Sequence, residues 1–225
     1  MVPTPAPNRA ALLVLIGIAL VLAGASLVFP ATVRAQTAEP ATEAAQGSAP
    51  SSSSVPVGPE GGSQWNAFSG YGFNHELYGS AVNIDIATAG IRWSRLWEAR
   101  GGGFVRGHPG LGIEVVPVMG FLESGRTTWA IGANLLYEHH FAGSGRVLPI
   151  WKVGVGILYA SRAVPQYVTR HNFSLMTDFG VDITITDKSA VYLGYRFHHI
   201  SNASTGEFNP GINAHSVVVG LSFYR

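Results

Sequence analysis

The chain has no cysteine, which excludes a disulfide framework and a thiolate metal site. It is also poor in charge. Asp, Glu, Lys and Arg make up 12% of its 225 residues, about half the roughly 25% usual for soluble domains. A formal net charge of +1 leaves no electrostatic footprint for a nucleic-acid partner. What the chain does have is glycine and apolar side chains. With 28 Gly, 13 Pro and 47% hydrophobic residues, the composition suits strands and turns better than helices.

The order of segments divides the chain. Arg9 precedes an apolar run over residues 10–29, and Val33-Arg34-Ala35 offers small residues for cleavage before Gln36. That is the order of a secretory signal peptide, so residues 1–35 are expected to be removed on export. A retained anchor is the competing reading, because the run nears the length that spans a bilayer; in either case the remainder is exported. Residues 36–62, rich in Ala, Pro, Ser and Glu and without apolar period, read as a disordered linker.

From residue 63 to 225 the pattern alternates. In 173–185, Phe173, Leu175, Phe179, Val181, Ile183 and Ile185 oppose Ser174, Asp178, Gly180, Asp182 and Thr184. Residues 129–141, 151–159, 190–200 and 216–224 repeat it, and 64–73, 84–97 and 111–121 follow more loosely. Alternation places successive side chains on opposite faces of a strand. Globular strands are commonly about 5–6 residues, whereas outer-membrane strands need about 9–11, and most of these runs have the longer length. The expected fold is all-β, an eight-stranded antiparallel transmembrane barrel with an apolar exterior and a small, polar lumen. Trp97, Trp129, Trp151 and Tyr159 fall near strand ends, as interfacial aromatic girdles do. A soluble, ligand-holding barrel with its apolar face inward is the alternative. Gly154, Gly156, Gly180, Gly194 and Gly220 oppose the bulky face and favour a tight lumen instead. Glu138, Lys152, Asp178, Asp182 and Arg196 would then pair inside it, since buried charges persist only when paired.

The candidate chemistry lies near the C-terminus, in Tyr195-Arg196-Phe197-His198-His199-Ile200-Ser201-Asn202-Ala203 and Asn209-Pro210-Gly211-Ile212-Asn213. His199 and Ser201, two residues apart on a strand, share one face, where an imidazole can activate a hydroxyl. By parity that face is the apolar one and addresses lipid, while His198 faces the lumen. Extending the last strand's parity backwards sets Asn213 across from the pair, and Asn202 follows the serine with N–H groups for an oxyanion. The bland alternative is an interfacial histidine beside a turn serine. His139, His140 and His215 have no trustworthy metal-ligand spacing.

These segments resemble the signature of the lipid A 3-O-deacylase (PagL) family. The resemblance implies an eight-stranded outer-membrane barrel hydrolysing the ester of the 3-hydroxyacyl chain at position 3 of lipid A. It further implies His199 as base, Ser201 as nucleophile, and Asn202 with the backbone of Ser204 as oxyanion hole. The family's acid position falls on Asn213, an amide. Three readings stay open: Asn213 orients His199, Glu207 of the intervening loop replaces the acid, or the barrel has reduced or no activity. The resemblance calls for no metal or cofactor, takes lipid A or lipopolysaccharide as substrate, and leaves a homodimer open. The competing function is a non-enzymatic structural or adhesive barrel, which long polar loops would serve; the loops here are short to moderate.

Overall fold

A computed structural model of the chain describes residues 62–74, 84–123, 125–143, 145–164 and 168–225. The expected signal peptide and all but the last residue of the expected linker lie outside the described residues. Eight strands follow in order: β1 (Ser63–Asn74), β2 (Asp85–Leu96), β3 (Gly107–Glu123), β4 (Arg126–Phe141), β5 (Val147–Ala160), β6 (His171–Thr186), β7 (Ser189–Ser201) and β8 (Ile212–Tyr224). Each pairs antiparallel with its neighbours and β1 pairs with β8, which closes the barrel. A bilayer offers no water to an unpaired N–H or C=O, so strands can cross it only in a closed ring.

The strands are longer than alternation alone marks. Residues 111–121 become the 17-residue β3, and β6 begins at His171, two residues before the alternation marks it. The added residues, polar ones among them, keep their backbones in the ladder: His108 opposes His140, Glu123 opposes Arg126, and His171 opposes Tyr159. With 12 to 17 residues against about 9–11 needed to cross hydrocarbon, the strands project past it.

The sense of the alternation is that of a membrane barrel. Leu135 and Ile157 are 63% and 64% exposed, while Glu114, Glu138, Asp178 and Asp182 are fully buried. Bulky residues outside and carboxylates inside are the reverse of a soluble ligand-binding barrel, and the closed outer surface is the one a bilayer covers. Trp65 and Trp93 pair near the end where β1 begins and β8 ends, and Trp129 and Tyr159 lie near the other. Aromatic side chains thus ring both edges of the apolar band.

The lumen is filled by a charged cluster. Arg196 donates to Asp178 (Nε–Oδ1 2.8 Å) and, through both terminal nitrogens, to Glu114 (3.0 and 2.9 Å). Arg92 adds a 3.6 Å ion pair to Glu114 and donates to Asn66 Oδ1 at 2.9 Å. Glu138 holds His140 at 3.0 Å, and Asp182 accepts from Gln64, Ser222 and Tyr224. Lys152 departs from the expected carboxylate pairing: its Nζ stands over the Tyr192 ring, 3.6 Å from the centroid. That ring lies along the wall beside Gly180 and Gly194, and a Cβ at Gly180 would meet it at 2.7 Å. Glycine there is a matter of space.

Two predictions test this inside-out arrangement. Leu135→Arg, on the lipid face, should destabilise the barrel by about 2–4 kcal/mol, read from urea unfolding in lipid vesicles. Glu114→Leu strips two buried guanidinium groups of a partner and should cost about 3–5 kcal/mol in the same assay.

Candidate active site

β7 and β8 meet at the end of the barrel opposite the start of β1, joined by loop 202–211. On β7 the inward positions Tyr192, Arg196 and His198 are buried, and the outward positions Tyr195, Phe197, His199 and Ser201 are not. His199 and Ser201 therefore stand together on the lipid side, and His198 points into the lumen, where its Nε2 meets Ser174 Oγ at 2.7 Å. The register pairs His199 with Asn213 across the β7–β8 ladder. Their side chains meet there: His199 Nδ1 lies 2.7 Å from Asn213 Oδ1. An amide oxygen only accepts, so Nδ1 carries the proton and Nε2 keeps its lone pair. This is the tautomer of a general base. Among the described residues Ser201 Oγ makes no hydrogen bond to the imidazole; catalytic contacts of this kind tighten as the reacting complex forms.

The loop beyond Ser201 is built around Asn202, which is buried. Its backbone N–H donates to Asn209 Oδ1 (3.1 Å) and its amide nitrogen to Phe208 O (2.7 Å); its side-chain oxygen accepts from Ser204 N–H (2.9 Å). Thr205 N–H returns to Asn202 O at 3.0 Å, closing a turn whose central residues Ala203 and Ser204 have φ of 51° and 61°. Both lie in the left-handed region that non-glycine residues enter at a cost. The backbone N–H groups of Asn202 and Ser204, expected from sequence to face an oxyanion, are thus committed inside the loop. The second amide hydrogen of Asn202 is left over, and Ala203 N–H makes no hydrogen bond among the described residues. Glu207 is exposed on this loop and is not the partner of His199 Nδ1, a place Asn213 takes.

Two features were not evident from sequence reasoning. Gly211 has φ +63°, and a Cβ on it would stand 3.1 Å from His199 Cε1. The Asn209-Pro210-Gly211 segment hence brings bare backbone against the imidazole edge, which the Pro-Gly pair signals as a turn but not as a contact. Tyr195 Oη meets His215 Nδ1 at 2.5 Å on the same outer face, beside Phe73 and Phe197. Nothing short of the register would have joined them.

A model of the family described as lipid A 3-O-deacylase (PagL) matches residues 87–222, more than half of the chain. No curated protein matches the sequence. Among solved structures, the outer membrane enzyme PagL is similar in fold, with a TM-score of 0.54 and 15% identity, covering 69% of this chain and 97% of that one. Neisserial surface protein A gives a TM-score of 0.45 at 13% identity over 72% and 97% of the two chains. The attachment invasion locus protein Ail of Yersinia pestis gives 0.42 at 13% over 73% and 99%. With the family model spanning the strands that carry His199, Ser201 and Asn213, this outer-membrane β-barrel belongs to the lipid A 3-O-deacylase family of ester hydrolases.

Proposed function

We propose that the chain is an active serine esterase that removes the 3-O-linked 3-hydroxyacyl chain of lipid A, with Ser201 as nucleophile, His199 as base and Asn213 as the group that orients the imidazole. The observation that supports this most is the 2.7 Å contact of His199 Nδ1 with Asn213 Oδ1, two residues from a serine on a lipid-facing surface. In the reaction His199 Nε2 takes the Ser201 proton as Oγ attacks the ester carbonyl. The tetrahedral oxyanion takes donors from the remaining Asn202 amide hydrogen and from Ala203 N–H. Collapse breaks the bond to the sugar oxygen, which leaves as an alcohol with the proton from His199. Water, deprotonated by the same imidazole, then releases the 3-hydroxy fatty acid and restores Ser201. No step needs a metal or cofactor.

Asn213 fixes the tautomer but supplies no charge to the imidazolium, which marks this chain as a slower catalyst than one with a carboxylate at that position. That difference is what a second reading, a barrel with little or no activity, builds on. The test is release of 3-hydroxy fatty acid from purified lipid A, followed by mass spectrometry. Ser201→Ala and His199→Ala should abolish release. Asn213→Ala should lower kcat by about 10²-fold, Asn213→Glu should raise it by about tenfold, and Glu207→Ala should leave it within about twofold. Undiminished release from Ser201→Ala removes the serine from the mechanism.

A further inference from the structure

Beside the Ser201 site the outer wall of the barrel carries an apolar groove of about 560 Å³ between β3 and β6. Its floor is continuous with the site. Val115 pairs with Ala133, Ala133 with Ile157, Ile157 with Phe173, and Phe173 with Ser201, so one register row runs from the groove to the nucleophile. At about 4.8 Å per strand, Ile157 stands roughly two strand spacings from Ser201. The groove exists for two local reasons. Ala133 is the smallest side chain of the row, and a bulge between Val116 and Met119 leaves Pro117 and Val118 out of the β3–β4 pairing.

The groove has a polarity along its length. Toward the rim opposite the start of β1 it continues as an adjoining hollow of about 500 Å³ bordered by Trp129, Ser161 and Arg170. Arg170 lies over the Tyr159 ring at 4.8 Å and donates through Nε to Ala160 O at 3.0 Å. Its two terminal nitrogens make no hydrogen bond among the described residues and are left at the mouth. The loop that carries it, 161–170, contains Arg162 as well and no Asp or Glu. An apolar trough capped by a guanidinium with no carboxylate partner among the described residues suits an acylated lipid with an anionic head, and a guanidinium binds phosphate in bidentate fashion.

We propose that this groove holds the retained acyl chains of the lipid A molecule whose 3-O ester lies at Ser201, with a phosphate of that molecule on Arg170. The inference rests on the esterase reading above and adds the side from which the substrate is held. The chain to be cut lies at β7–β8, and the body of the lipid lies across β6 toward β3. A glycolipid with several chains spread side by side matches a row of strands better than a single extended chain does.

The test uses the full chain in detergent micelles, with Ser201→Ala as the binding form and heat-dependent gel migration to confirm that each variant keeps its barrel. Ser201→Ala protein should bind lipid A about tenfold more tightly than the same lipid stripped of phosphate. Arg170→Gln should erase that preference and Arg170→Lys should keep part of it. Ala133→Trp, which fills the groove, should weaken binding of both lipids by about tenfold. With Ser201 intact, kcat/KM for lipid A relative to a short-chain soluble ester should fall by about tenfold in Arg170→Gln and in Ala133→Trp. An unchanged ratio overturns the proposal even if binding weakens, since the groove would then hold a bystander lipid. Phosphatidylglycerol displacing lipid A at equal concentration overturns it too. If the unaltered chain cleaves neither ester, the esterase reading falls, and the phosphate dependence of binding alone still decides whether lipid A occupies the groove.

Discussion

The constraint on which the rest of this structure depends is that hydrocarbon cannot hydrogen-bond a peptide group. A chain that crosses it in strands must pair every backbone donor and acceptor, so the eight strands close on themselves through β1 and β8. Closure at eight strands leaves an interior wide enough for side chains and little else. Glycines make room for the Tyr192 ring, and the polar residues inside must satisfy one another. The outer surface is then the only place where a lipid can be met, and a site acting on lipid has to be built from outward side chains.

β7 shows how these two faces are coupled. Its inward residues include Arg196, which is bound to Asp178 on β6 and Glu114 on β3. Its outward residues include His199 and Ser201. A slip of β7 by one residue would exchange the faces, sending His199 and Ser201 into the lumen and Arg196 into lipid. The buried guanidinium and its two carboxylates make that slip prohibitive, because each charge would lose its partner in a medium that solvates none of them. The lumen cluster therefore does more than fill space. It fixes the register that brings His199 opposite Asn213. Removing one member exposes this dependence as instability before it reaches the chemistry, since the site lies on the other side of the same strand.

Much of this was legible in the sequence because period-two alternation carries direct geometric information. Parity alone put His199 and Ser201 outside, His198 inside and Asn213 across the ladder, and all four stand there. Where parity breaks, the reading weakened. Bulges between Ala89 and Ile91 and between Val116 and Met119 interrupt β2 and β3, which is why Arg92 and Glu114 did not emerge as lumen partners. Lys152 stands opposite Glu138 and Asp178 in the register, as expected, but its Nζ lies on an aromatic face and not in an ion pair. The sequence shows that a charge needs company but not which neighbour the barrel's tilt will supply. The loop was least legible of all. Asn202 follows the serine and invited an oxyanion role for its backbone, yet the two left-handed residues after it turn the chain so that this N–H and that of Ser204 are used to hold the loop together. Such bonds depend on dihedral angles that the residue types Ala203 and Ser204 do not announce.

The amide at Asn213 can be weighed by the same physics. A carboxylate there would stabilise the imidazolium of the proposed attack by Ser201, and in a low-dielectric setting that attraction is large. The carboxylate would also have to remain ionised when no substrate is bound, at a position only 9% exposed, with His199 opposite and, two residues on, His215 packed between Phe73 and Phe197. Charge on the lipid face of a barrel is costly in proportion to its depth. Asparagine avoids that resting cost and still accepts from Nδ1, keeping Nε2 basic. It gives up stabilisation of a charge that exists only near the transition state, so the loss falls on turnover and leaves substrate binding untouched. On the proposed reading, with the substrate held by many chains and a phosphate, affinity comes from the body of the lipid and rate from the proposed triad. The two can vary separately, and Asn213 sets only the second.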